Sequence, residues 1–141
     1  MLFNRVLWLL INIPLGLITF SIMYVAYLKY YPIDPAMRLG NSRLERTVIE
    51  RGDMLEIHRE HFMARDLQVT FKRAIYFENG GFILFEPVER FVPAGEKTSH
   101  VYVPLPNLMP GKYEYRTIVH YHENELRQVD LHSTPLKFEV R

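Results

Sequence analysis

The sequence predicts an all-β domain, an antiparallel sandwich of about seven strands, carried behind one N-terminal transmembrane α-helix. Three observations lead there. Residues Val6 to Leu28 form an almost uninterrupted apolar run without a formal charge. After it the hydropathy period becomes two, the repeat of a half-buried strand, and no stretch reads as a long amphipathic helix. Proline, glycine and asparagine turns separate the strands at short intervals, which is the rhythm of packed sheets.

The apolar run holds 23 residues. At 1.5 Å per residue this is about 34 Å of helix, enough for a hydrocarbon core of roughly 30 Å. A secretory signal peptide would be shorter and would end on small residues, but here Ala26 is the one plausible cleavage residue and Tyr24, Tyr27, Tyr30 and Tyr31 crowd the end. The segment therefore reads as an anchor in contact with the lipid bilayer. Trp8 and the tyrosines mark its two interfaces. Pro14 and Gly16 are placed to bend it, and Asn12, Thr19 and Ser21 read as polar residues tolerated on a single span, with Asn12 alternatively bonding to a neighbouring helix. Residues 1–29 are thus tail and helix, 30–42 a tether interrupted by Pro32, Pro35 and Gly40, and 43–141 the sandwich.

Orientation is argued from two opposing features. Lys29, Arg38, Arg43 and Arg46 follow the span, whereas Arg5 alone precedes it, which favours a cytoplasmic C-terminal domain. A long domain crosses largely regardless of such charges, and the expectation is an inner or plasma membrane protein with its sandwich extracytoplasmic. The absence of cysteine leaves no disulfide to report a compartment and no lipobox. With 17 basic and 16 acidic residues the net charge is +1, which gives no electrostatic case for nucleic acid.

The strands follow in order. Leu44 to Ile49 is the first, and Leu55 and Ile57 begin the second. Leu67, Val69, Phe71, Ile75 and Phe77 put apolar side chains at odd positions, with Gln68, Thr70 and Lys72 between. Asn79-Gly80-Gly81 supplies a hairpin turn into Phe82 to Phe85. Val101, Val103 and Leu105 alternate next, then Tyr113, Tyr115, Thr117, Val119 and Tyr121, and finally Leu136, Phe138 and Val140.

Leu108-Met109-Pro110-Gly111-Lys112-Tyr113 sets a proline-glycine turn directly before an aromatic strand. It resembles the tyrosine corner of immunoglobulin-like and fibronectin type III domains, in which the tyrosine hydroxyl bonds back to the chain upstream. That resemblance implies an immunoglobulin-like sandwich with Pro110, Gly111 and Tyr113 as its structural corner. The antibody-type cysteine pair and core tryptophan are missing. The residues Pro110-Gly111-x-Tyr113-x-Tyr115, Val119-x-Tyr121, Asn124-x-x-Arg127 and Pro135-x-x-Phe138-x-Val140 also resemble the C-terminal part of small membrane-anchored proteins of tailed bacteriophages.

No catalytic constellation emerges, and the expectation is that this is not an enzyme. His120 and His122 share one strand face and His58 on a neighbouring strand is placed to join them, but without cysteine or a helical histidine pair no metal or other cofactor is expected. Glu56 and Glu60, Glu86 and Glu89, and Glu123 and Glu125 sit where exposure is expected rather than a desolvated acid and base. Ser99 and His100 point to opposite faces. Arg51-Gly52-Asp53 reads as turn chemistry. What remains is interaction, with Arg116, Ile118, His120 and His122 as the candidate face and no small-molecule substrate evident. The chain is expected to be a structural or accessory subunit with protein partners in a membrane or envelope assembly. A tethered binding or chaperone module and a phage lysis protein are the alternatives.

Overall fold

The computed structural model describes residues 2–31 and 34–141, with residues 2–10 as backbone alone. The Trp8 ring and Pro32 lie outside the described residues. One helix, α1 (Leu2–Tyr30), precedes ten strands: β1 (Met37–Leu44), β2 (Val48–Ile49), β3 (Met54–Met63), β4 (Leu67–Phe77), β5 (Phe82–Leu84), β6 (Val88–Val92), β7 (Gly95–Pro104), β8 (Gly111–Asn124), β9 (Arg127–His132) and β10 (Leu136–Val140).

Within α1, Ile11–Tyr30 is long and apolar enough to cross a membrane, and none of that stretch is buried against the rest of the chain. The helix is continuous through Pro14. Gly16 faces open space, and the hydroxyls of Thr19 and Ser21 donate back to the carbonyls of Leu15 and Leu17 at 2.9 and 2.8 Å, which satisfies them inside an apolar surrounding.

The strands form two sheets. One has the order β1-β3-β7, and the other runs β2-β10-β8-β4-β5, with β6 on β4 and β9 on β8. The long strands are shared: β8 pairs with β10 through its first half and β9 through its second, while β4 pairs with β6 and then β5. Odd-numbered side chains of β3, β4 and β8 point between the sheets, and Leu55, Ile57, Val103, Ile75, Tyr115 and Phe138 from both sheets pack in one cluster. Burial of each large aliphatic side chain there stabilises by about 1.5–3 kcal/mol. A second cluster, with Met37, Met63, Val69, Val119 and Tyr121, lies at the end nearest α1.

Ten strands replace the expected seven or so, and the causes are local. β1 begins inside the expected tether, at Met37. Its alternation is broken by a bulge between Leu39 and Ser42, and Gly40 within it suits a close approach, since a Cβ there would stand 3.0 Å from Cβ of Glu60 and push on it. The connector is therefore only residues 31–36. β6 and β9 are short, and their periodicity rests on two apolar residues each, Val88 with Val92 and Val129 with Leu131. The pairing of β2 with β10 is parallel, so the sheet is not purely antiparallel.

Candidate functional site

Helix α1 ends on the sandwich. The last carbonyls of a helix have no partner within it. Here Asn124 Nδ2 donates to the Leu28 carbonyl at 3.0 Å, and Arg127 donates to the Tyr31 carbonyl at 2.9 Å. A cation at this end also suits the helix dipole. Asn124 serves two elements, because its Oδ1 accepts from the Leu126 N–H in the β8–β9 turn at 2.9 Å. Beside it, the Ala36 N–H donates to Glu123 Oε2 at 3.2 Å, and Arg65 lies 3.5 Å from Oε1 and also donates to the Glu123 carbonyl. Glu123 is 6% exposed, which corrects its expected solvent setting: a carboxylate is tolerated there because a cation and a backbone donor face it. Burial, and then the Glu123 charge, push the Tyr121 hydroxyl pKa up.

Midway up the sandwich a polar layer separates the two apolar clusters. Arg59 on β3 points inward, is 6% exposed, and donates to Thr117 Oγ1 on the facing sheet at 2.9 Å. Arg73 is the direct partner of Thr117 across β4 and β8 and lies over the Phe85 ring at 5.5 Å. The Nε–H of Arg59 and that of Arg73 are both buried without a partner. Both side chains line a cleft of about 240 Å³ between β6 and β7, with His61, Arg90, Phe91 and Ser99. No carboxylate lines it. Burial, followed by the charges of Arg59 and Lys97, holds the His61 pKa below the ordinary histidine value.

The candidate face residues lie on the outer side of β8. Arg116 forms an ion pair with Glu114 and stacks over Tyr76 at 4.5 Å, Ile118 is half-buried, and His122 is exposed. His120 Nδ1 meets Asp130 at 2.6 Å, and that hydrogen bond lowers the Asp130 pKa. At the same sheet's edge, Phe82 is 57% and Leu84 69% exposed. The corner is formed: Tyr113 Oη donates to the Met109 carbonyl at 2.6 Å, and its ring packs on Phe77 and Phe138. Tyr24 and Tyr27 are exposed on α1, and Asn12 is half-buried there.

His58 does not join His120 and His122, because β3 and β8 belong to different sheets. It stands opposite His100, ring centroids 4.0 Å apart, with Glu45 at 2.7 Å. Glu56, His58 and His100 offer ligand atoms within 4.8 Å of one another and are the set among the described residues that could hold a metal ion. The Arg-Gly-Asp tripeptide is a turn: Gly52 has φ +92°, Asp53 N–H donates to Glu50, and Arg51 binds Asn107 Oδ1 at 2.7 Å.

The inward arginines are what strand periodicity passes over. Arg59 continues the parity of Leu55 and Ile57, and Arg73 that of Phe71 and Ile75, so a cation stands on each core face where an apolar residue is the rule. That violation of parity is the signal. His58 and His100 could not be paired before the β3–β7 register was known.

No protein-family model matches this sequence, and no curated protein does. Among solved structures, it is similar to Pseudomonas fluorescens alkylpurine DNA glycosylase AlkC bound to DNA containing an abasic site analog, with a TM-score of 0.49, 12% identity, and coverage of 77% of this chain and 31% of that one. Similar too is Spo0M, a sporulation control protein from Bacillus subtilis, at 0.46 and 11%, covering 77% and 50%. A chain from a structure of T cell activation by the bacterial superantigen toxic shock syndrome toxin-1 gives 0.42 and 9%, covering 72% and 98%. The match spans about a third of the first of these chains and half of the second. Nothing about activity follows from them.

Proposed function

We propose that this chain is a single-pass, membrane-anchored accessory subunit whose sandwich docks onto a larger membrane or envelope assembly, cellular or phage-encoded. The observation that carries the reading is the fastening of α1 to the β8–β9 hairpin through Asn124 and Arg127. A domain bonded to the end of its own anchor presents one face at a set height and angle to neighbours in the same membrane. We read the sandwich as immunoglobulin-like, on the Tyr113 corner and on the pairing of β3 with β7, β4 with β8 and β8 with β10. We place it on the extracytoplasmic side, as expected for a long domain behind one span.

The docking face in this reading is the outer side of the larger sheet. Arg116 and Ile118 stand there beside exposed Phe82 and Leu84, combining an arginine over an aromatic ring with apolar anchors. Site-specific photocrosslinking in the native membrane tests it. A crosslinker replacing Leu84 gives one discrete adduct, whereas one replacing Glu60, on the outer side of the smaller sheet, gives none. Adducts from neither position, or equally from both, contradict the assigned face.

A further inference from the structure

We propose that the cleft between β6 and β7 is a binding site for a phosphate group, carried by an anionic lipid headgroup or by free phosphate. Strand parity brings five basic side chains to the inner side of one flank: Arg59, His61 and Lys97 from the smaller sheet, and Arg73 and Arg90 from the larger. The carboxylates next to them in sequence, Glu60, Glu89 and Glu96, take the opposite parity. The flank therefore gathers positive charge between two sheets, with no acid to balance it.

Arg59 makes this more than a basic surface. Its guanidinium is withdrawn from solvent, its one hydrogen bond is to a neutral hydroxyl, and its Nε–H is left over. A buried, unpaired cation is strongly unfavourable, and neutralisation by deprotonation is closed to arginine. Arg73 repeats the pattern from the opposite sheet: it stacks on Phe85, makes one 3.4 Å bond to the Glu86 carbonyl, and has a free Nε–H. Two guanidinium groups, each with a donor left without a partner, line one cleft of about 240 Å³ and fit an oxyanion that accepts several charge-assisted bonds at once. Arg90 raises the positive charge further, which matches a phosphate better than a single carboxylate.

The position of the cleft suits either source. Its lower wall, Val92 and Pro93, leads to Ala94, whose N–H is held by Asp66 at 2.8 Å in the β3–β4 turn. That turn also carries Ala64, bonded to the Ala36 carbonyl at 2.7 Å just after the anchor. The lower wall of the cleft thus lies at the end of the sandwich nearest α1. The lipid source rests on the membrane-anchored reading, and the free-phosphate source does not.

The test uses the full-length chain and follows the arginine Nε–Hε signals of Arg59 and Arg73 by NMR. In micelles of an uncharged detergent, inorganic phosphate is titrated against chloride at equal ionic strength. In nanodiscs, a bilayer containing phosphatidylglycerol is compared with pure phosphatidylcholine. The expected result is a saturable shift of both signals, with phosphate, with phosphatidylglycerol, or with both, each pattern identifying its source. Arg59→Met weakens the effect about tenfold or more, as loss of charge-assisted bonds demands. If that variant fails to fold, exposed Arg90→Gln still weakens binding several-fold. Signals that respond to neither anion, or an unchanged response in Arg90→Gln and Arg59→Met, overturn the proposal.

Discussion

Single side chains set the stability of this sandwich at identifiable points. Tyr113→Phe removes the bond to the Met109 carbonyl while keeping the ring between Phe77 and Phe138. It should cost about 1 kcal/mol in a denaturant titration of the full chain in detergent. His61 gives a pH dependence whose sign can be worked out. Its folded pKa lies below the ordinary histidine value of 6.5, from burial first and then from Arg59 and Lys97, so the unfolded chain takes up the proton first. Arg73 and Arg90 on the facing sheet line the same cleft. The stability tied to this histidine is complete above pH 6.5 and is lost as pH falls from there toward the folded pKa. Titrations at several pH values between 7.5 and 5.5 should therefore show a loss that His61→Gln removes. The residue scale is also where sequence reasoning reached least far into the site. The corner was legible, since a turn followed at once by an aromatic strand is a local pattern. The Arg59–Thr117–Arg73 layer joins residues 58 positions apart in sequence, and only the facing of two sheets reveals it.

At the level of elements, the helix and its junction carry the functional reading. A helix long and apolar enough to cross a membrane was plain from hydropathy alone, because its apolar run is continuous in the sequence. The junction was not, because its bonds run from Asn124 and Arg127 back to Leu28 and Tyr31 across 96 positions. β1 was hidden for a different reason: its bulge and Gly40 interrupt the alternation that identifies strands. Asn124→Asp isolates the junction. It keeps the acceptor that holds the β8–β9 turn, while replacing the donor to Leu28 with a charge that repels the helix carbonyls. A penalty of about 1.4 kcal/mol raises the population of the detached state about tenfold. The chain lacks cysteine, so spin labels at F20C and T98C report one distance without background. The native sequence should give a narrow distribution, and Asn124→Asp a broad one.

As a whole molecule, the protein is an apolar helix bonded to a sandwich whose interior is divided by charge. Its near-neutral composition hides that division, since 17 basic and 16 acidic residues balance overall while the β6–β7 flank collects cations alone. In the reading proposed above, such a molecule sits at a membrane and meets a protein partner there. The measurement that tests this most directly is the composition and native mass of the particle recovered when the full-length protein is extracted from its own membrane in mild detergent. The account predicts a reproducible particle containing this 16.8 kDa chain and a partner protein in fixed stoichiometry. Recovery of the chain by itself, at the mass of a monomer, or in the soluble fraction without detergent, would contradict it.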